Sequence, residues 1–197
     1  MKILVACEFS GTVRDAFRKK GHDAVSCDIL DGEGDGPHIK GDVSKVIPGH
    51  SWDMIIAHPP CTYLCNSGVS WLHRDNSRWG KLKDAADFFN MFLDVPVMKL
   101  CVENPIMHKY AKELIGGRRQ SQIVQPWMFG HPEQKATCLW LRGLPLLQPT
   151  NDVRDEMKSM TPAERQKLHW LPPSKDRWKL RSKTFQGIAD AMAEQWG

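Results

Sequence analysis

The sequence predicts an α/β fold: a single Rossmann-like domain on one doubly wound, mixed sheet. Three observations carry that expectation. Short continuous apolar runs recur along the chain, the pattern of strands buried on both faces of a parallel sheet. Helical segments alternate with them, as in units joined by right-handed crossovers. The last two strand-like runs have no helix between them, which suits an antiparallel finish.

Lys2 to Cys7 reads as the first strand, and Glu8-Phe9-Ser10-Gly11 as the turn after it. Ser10 is a candidate N-cap for a helix from Thr12 to Lys20, which Gly21 ends. Asp23 to Cys27 is the second strand and closes on Asp28; Asp31 to Pro37 carries three glycines and reads as a loop. His38 to Lys40 and Met54 to Ala57 are the third and fourth strands. A polar stretch, Thr62 to Gly80, leads to a helix from Lys81 to Leu93. Val97 to Val102 is the fifth strand, and the helix Met107 to Leu114 stops at Gly116-Gly117. Ser121 to Gln125 and Thr137 to Leu141 form the closing pair. Pro145 to Pro173 is proline-bearing and mostly polar, and a final helix runs from Thr184 to Trp196.

A chain of 197 residues suits one domain with at most a small appendage. The expected division is a core at 1–144, a short polar and basic segment at 145–183, and a C-terminal helix at 184–197 packed on the core. Hydrophobic content of 41% and charged content of 25% are ordinary for a globular protein with a proper core. No apolar stretch approaches the roughly 18 residues that span a bilayer, and the N-terminus reads as a strand, not a signal peptide. Six cysteines, mostly inside apolar runs, suggest reduced thiols in a cytoplasmic protein and no disulfide framework. A net charge of +4 permits nucleic-acid binding without demanding it. Locally, Arg177, Lys179, Arg181 and Lys183 crowd around Trp178, and Arg74, Arg78, Lys81 and Lys83 around Trp71 and Trp79. Basic residues interleaved with aromatics hold phosphates and stack bases; a solvated basic face over packed tryptophans is the plainer reading.

The chemistry concentrates at strand tips. His58-Pro59-Pro60-Cys61 follows directly on Met54 to Ala57. Two prolines fix φ at about −65° and pre-shape the turn, and ligands bind at the carboxyl ends of strands in an open α/β sheet. Cys61 is therefore placed as a nucleophile. Glu103-Asn104-Pro105 ends the fifth run and brings a carboxylate to the same edge. A thiol and a carboxylate together suit covalent catalysis with acid assistance. Asp28, about 20 residues past the first turn, suits a ribose hydroxyl pair, and Asp42 an exocyclic adenine amine; a turn or helix cap is the alternative for each. Cys61-x3-Cys65 with His58 and His73 misses four-ligand zinc spacing, and no metal is expected. Cys65 is expected in an ordinary loop, dispensable for catalysis.

The series Phe9/Gly11, Asp28, Asp42, Pro59-Pro60-Cys61 and Glu103-Asn104 resembles the motifs of the cytosine-C5 DNA methyltransferases, and in particular their short phage-type members. Phe129-Gly130-His131-Pro132-Glu133-Gln134-Lys135 resembles a later motif of that family, and Phe185-Gln186-Gly187 to Trp196 its closing helix. The resemblance implies the class I fold that uses S-adenosylmethionine, with Cys61 adding to cytosine C6, Glu103 contacting N3, and Asn104, Pro60 and Lys135 completing the catalytic pocket. It implies cofactor contacts from Glu8, Phe9, Ser10, Gly11, Asp28, Ile29, Asp42, Val43, His58 and Pro59. His58 or Lys135 would supply the positive charge that lowers the Cys61 pKa. Arg177, Trp178, Lys179 and Arg181 are the expected nucleic-acid contacts, with DNA or a deoxycytidine nucleotide as substrate. Only Arg142 to Lys183 stands where the family carries a large target-recognition segment, so duplex, single-stranded and free-nucleotide substrates are all open. Two rival readings remain. One is a cofactor- or DNA-binding module without turnover. The other is an amino (N4 or N6) methyltransferase, whose Asp/Asn-Pro-Pro-aromatic turn His58 to Cys61 resembles with both end residues replaced.

Overall fold

The computed structural model describes all 197 residues. Seven strands form one sheet: β1 (Lys2–Ala6), β2 (Asp23–Asp28), β3 (His38–Lys40), β4 (Met54–Ala57), β5 (Lys99–Pro105), β6 (Gln122–Val124) and β7 (Thr137–Arg142). Their order is β3-β2-β1-β4-β5-β7-β6. The first five lie parallel, and β7 runs antiparallel to both β5 and β6. This is the expected doubly wound, mixed α/β sheet with an antiparallel finish. The order reverses between β1 and β4, so a crevice opens beyond their carboxyl ends.

The apolar runs become the central strands because both of their faces are covered. Ile3 to Ala6 and Met54 to Ala57 are essentially without solvent exposure. One face packs on α3 (Ser77–Asp94) and α4 (Lys109–Leu114) through Leu82, Ala86, Phe89, Phe92 and Ala111. The other packs on α1 (Thr12–Lys19) and α9 (Gln186–Trp196) through Val13, Phe17, Ile188, Met192 and Trp196. No helix is long and apolar enough to cross a membrane.

Several local expectations change. The fifth strand runs past Val102: Glu103, Asn104 and Pro105 are its last three residues, paired with Leu139, Cys138 and Thr137 of β7. Ser10 does not cap α1. The N-cap is Gly11, at φ 71°, and the Glu8 carboxylate accepts from Val13 N at 2.7 Å and Arg14 N at 3.2 Å. A Cβ at Gly11 would collide with the Arg14 guanidinium, so this position requires glycine in both conformation and space. A short helix, α2 (Val43–Val46), follows β3. The Thr62 to Gly80 stretch contains a 3-10 helix over Asn66–His73, and α3 begins at Ser77, earlier than the sequence suggested. Between β7 and α9 lie four short helices: α5 (Arg154–Ser159), α6 (Pro162–Arg165), α7 (Lys167–Trp170) and α8 (Arg177–Ser182).

Candidate active site

A cleft of about 830 Å³ lies at the topological switch, walled by the segments after β1, β4 and β5 and by the strap from Gln166 to Thr184. The chain enters it from β1 through Cys7, a non-glycine residue at φ 57°. L side chains rarely adopt this conformation, and surrounding structure must hold it there. Glu8 N donates to Cys27 O at 3.2 Å and His58 N to Ala6 O at 2.9 Å on either side of it, and Arg14 braces the turn beyond. It is fully buried and donates to Ser26 Oγ at 3.0 Å, to the Glu33 carbonyl at 3.1 Å and to Asp15. Glu33 N in turn donates to the Phe9 carbonyl at 2.7 Å, so the glycine-rich loop after β2 is tied to the first turn.

The β4 tip is fixed by long-range bonds. Leu64 N and Cys65 N both donate to the Cys61 carbonyl at 3.0 Å, closing a compact turn behind the Pro-Pro pair. That turn is fastened to the chain beyond β5. Asn66 N donates to Ile106 O at 3.1 Å and His108 N to Leu64 O at 3.1 Å, while the His108 ring sits 2.8 Å from Tyr63 O. His108 is buried and caps α4, its Nδ1 accepting from Ala111 N at 3.1 Å. These ties hold Cys61 and Glu103 at one edge.

His58 and Glu103 form an ion pair, Nδ1 to Oε2 at 3.1 Å, with both side chains nearly buried. Burial opposes protonation of His58, but the Glu103 charge and hydrogen bond and the nearby Glu8 charge hold its pKa above the ordinary value. Burial alone would raise the Glu103 carboxyl; His58, with Lys135 more distantly, holds it below the usual carboxylate range. The proton of the pair therefore rests on the imidazole. The His58 Nε2 and the Asn104 Oδ1 are buried without partners, two polar atoms in want of a ligand.

The Cys61 and Cys65 thiols are neighbours that shift one another in opposite directions. Their mutual hydrogen bond, and then burial, push the Cys61 thiol up. The same hydrogen bond pulls Cys65 down to about 5, helped by Ser67 and the Gly68 N–H. Lys135 lowers Cys61 as expected, but more weakly than the hydrogen bond to Cys65 and burial raise it. Cys65 is no ordinary loop residue: it is buried, bridges to Met107 and caps the Asn66–His73 helix, with its sulfur 3.1 Å from Ser67 Oγ.

Of the expected site residues, the cleft gathers Glu8, Phe9, Ser10, Asp28, His58, Pro60, Cys61 and Lys135 in one space. Trp178 and Arg181 line it too, so the expected nucleic-acid segment forms part of the cleft wall. Trp178 lies 6.1 Å from Phe9, and Lys135 Nζ donates to the Arg181 and Lys183 carbonyls. Pro59 is buried behind the turn, and Gly11 carries the backbone of α1. Glu103 and Asn104, expected in the catalytic pocket, are not among the lining residues, because both lie paired with β7 at the end of β5 and Glu103 reaches the cleft only through His58; Asp42, Val43 and Ile29 are not among them either. The Asp42 carboxylate caps α2 through Ser44 N at 2.9 Å and Ser44 Oγ at 2.8 Å. Val43 is in the core, and Ile29 is 73% exposed just beyond β2. Arg177 and Lys179 lie on α8, away from the cleft lining. Arg14, the His58–Glu103 pair and the Cys65 partner of Cys61 are contributions the sequence did not reveal. The later motif anchors the strap: Glu133 pairs with Lys167 at 2.8 Å, and Gln134 N donates to Arg165 O at 2.7 Å. No group of three His, Cys, Asp or Glu side chains is placed to hold a metal ion.

The sequence matches no family model and no curated protein. Solved structures similar to it include a protein described as a DNA modification methyltransferase encoded within an E. coli prophage, at TM-score 0.48 and 16% identity. They also include the Entamoeba histolytica methyltransferase EhMeth, at TM-score 0.46 and 14% identity. Each match covers 76% of this chain, and 51% and 57% of those longer chains respectively.

Proposed function

We propose that the chain transfers a methyl group from S-adenosylmethionine to C5 of cytosine in DNA or a deoxycytidine nucleotide, through a covalent adduct on Cys61. In this reading residues 1–144 are the catalytic core, 145–183 contact the substrate and 184–197 brace the core. The observation that carries it is the meeting in one cleft of Cys61, Cys65 and His58, whose ring is bound to Glu103 through Nδ1 and has its Nε2 unpartnered.

The cleft suits the cofactor. Its volume is in the range of small-molecule sites. Asp28, at the tip of β2, bonds only Leu30 N through one oxygen, leaving the other for a ribose hydroxyl. Phe9 and Ser10 flank it, and the unpartnered His58 Nε2 awaits a polar atom of a ligand. When bound, S-adenosylmethionine supplies an electrophilic methyl group.

The protein's own groups make C5 able to take it. The Cys61 proton passes to Cys65 as the Cys61 sulfur bonds to cytosine C6. The ring nitrogen N3 gains a proton from the imidazolium of His58, relayed through Glu103, which leaves His58 neutral beside the Glu103 carboxylate, with Lys135 as the remaining cation acting on that charge. The resulting enamine places electron density on C5. After methylation the C5 proton is lost to solvent water, the Cys61 thiolate is expelled and retakes its proton from Cys65, and the N3 proton returns through Glu103 to His58, which restores the base and the protein.

The test is product identity. The enzyme is incubated with labelled S-adenosylmethionine and dCMP, dCTP, single-stranded DNA or duplex DNA, and nucleosides are resolved by mass spectrometry. 5-Methylcytosine is the expected product. An N-methylated base, or no methylated base on any substrate in folded, cofactor-binding protein, would replace this reading by one of its rivals.

A further inference from the structure

The cleft mouth carries aromatic rings and free cations on two separate chain segments. After β4, Trp71 is 51% exposed, with the Arg74 guanidinium 5.2 Å from its ring, and Arg78 lies 4.8 Å over Tyr63. In the strap, Trp178 is 52% exposed with Lys179 Nζ 5.7 Å from its ring, and Arg181 lines the cleft. The protein forms ten ion pairs, yet Arg74, Arg78, Arg177, Lys179 and Arg181 take part in none. The Arg78 and Arg177 Nε atoms are buried without any hydrogen-bond partner. Exposed tryptophans beside unpaired cations fit stacked bases and phosphates, because every base has a π-face and every nucleotide a phosphate.

We infer that the substrate enters as a single-stranded polynucleotide, its bases stacked on Trp71 and Trp178 and its backbone held by Arg74, Arg78, Lys179 and Arg181. This rests on the proposed cytosine chemistry at Cys61 and names the form in which the base arrives. Both tryptophans and Cys61 line one cleft, so a strand stacked on the rings passes over the thiol without a base first leaving a duplex. The strap itself offers no helix suited to reading a duplex. The strap helices are four to six residues long, or about 6–9 Å at 1.5 Å per residue, too short to lie along a major groove about 12 Å wide.

Binding is read by fluorescence anisotropy of a labelled mixed-sequence 12-mer, as single-stranded DNA, single-stranded RNA and duplex DNA, with dCMP as a competitor. The single strand should bind at least tenfold more tightly than the duplex, and dCMP should compete only at far higher concentration. Trp71→Ala and Trp178→Ala should each weaken single-strand binding roughly 5- to 150-fold, the loss of one base–aromatic stack. Their unfolding curves should match the parent, since both rings are half exposed. Four phosphate contacts should give a log–log salt slope of about −2.8, which Arg74→Ala with Arg181→Ala should reduce to about −1.4. Tighter duplex binding, or tryptophan variants that bind as the parent does, would overturn the inference. Binding of dCMP with none of either polymer would overturn it too, while leaving the cytosine chemistry intact. RNA bound in preference to DNA would uphold the single-strand cleft and instead remove DNA as the substrate.

Discussion

Replacing His58 by glutamine isolates the pair on which proton delivery depends. In the parent, Glu103 is held in its charged form at depth by an imidazolium 3.1 Å away, and both side chains are nearly buried. The nearest other cation, Lys135, already donates to two backbone carbonyls. Breaking a buried pair by removing one partner costs about 3–5 kcal/mol, because the remaining charge is uncompensated. For a domain of this size that is a fall in Tm of roughly 6–20 °C. The pH dependence is more telling. The raised pKa of His58 contributes stability that is full below its unfolded value of about 6.5 and is lost as pH rises through the higher folded value. The depressed pKa of Glu103 contributes stability that is present above an unfolded value of about 4.3 and is lost as pH falls through the lower folded value. The pair is therefore strongest between about pH 4.3 and 6.5. In His58→Gln the carboxyl keeps its burial but loses its partner, so its pKa rises and the variant gains stability on acidification. Thermal unfolding from pH 4 to 8 should show the loss shrinking toward pH 4. A constant offset between the two proteins across that range would mean that His58 and Glu103 do not share a proton.

The remaining predictions concern the thiols and the cofactor. Cys61→Ala removes the hydrogen bond that lowers Cys65, so alkylation of Cys65 by iodoacetamide at pH 6–7 should slow markedly relative to the total rapid alkylation of the parent. An unchanged pH profile, read by peptide mass spectrometry, would dissolve the pair. Cys65→Ser should lower methyl transfer at neutral pH and shift its pH optimum upward, because Cys61 then has a poorer proton acceptor; full activity with an unshifted optimum would return Cys65 to a structural role. Asp28→Ala should weaken S-adenosylmethionine binding in calorimetry by about 1–3 kcal/mol. Asp42→Ala should leave that affinity nearly intact and lower stability by about 0.5–2 kcal/mol, because its carboxylate caps α2. The opposite ranking of the two aspartates would place the cofactor differently.

The central strands were legible because β1, β4 and β5 are covered on both faces, which leaves continuous apolar runs with no alternation to misread. The Pro-Pro-Cys turn was legible because prolines declare their backbone. What stayed hidden depends on distant partners. The apolar run stops at Val102, and Glu103 to Pro105 extend the strand only because β7 arrives 30-odd residues later to pair with them. Asp42 as a cap rests on four residues too short for periodicity to register. Cys65 gains its role from an α-turn back to Cys61 and from the bridge to Met107, neither visible in the spacing. Arg14 reads as one of many basic residues on an amphipathic helix, and its burial depends on a glycine-rich loop folding over it. The strap near the cleft was seen as a basic surface, and its anchorage through Glu133 and Gln134 belongs to tertiary structure alone.

The covalent adduct on Cys61 is tested most directly with a 5-fluorodeoxycytidine oligonucleotide and S-adenosylmethionine. Fluorine at C5 cannot leave as a proton does, so the thioether at C6 should persist. Intact-protein mass spectrometry should show one oligonucleotide and one methyl group added per chain. Peptide mapping should place the bond on Cys61, with none formed by Cys61→Ser that still binds cofactor. An adduct on Cys65, or methyl transfer to the oligonucleotide with no adduct on any cysteine, would contradict the account.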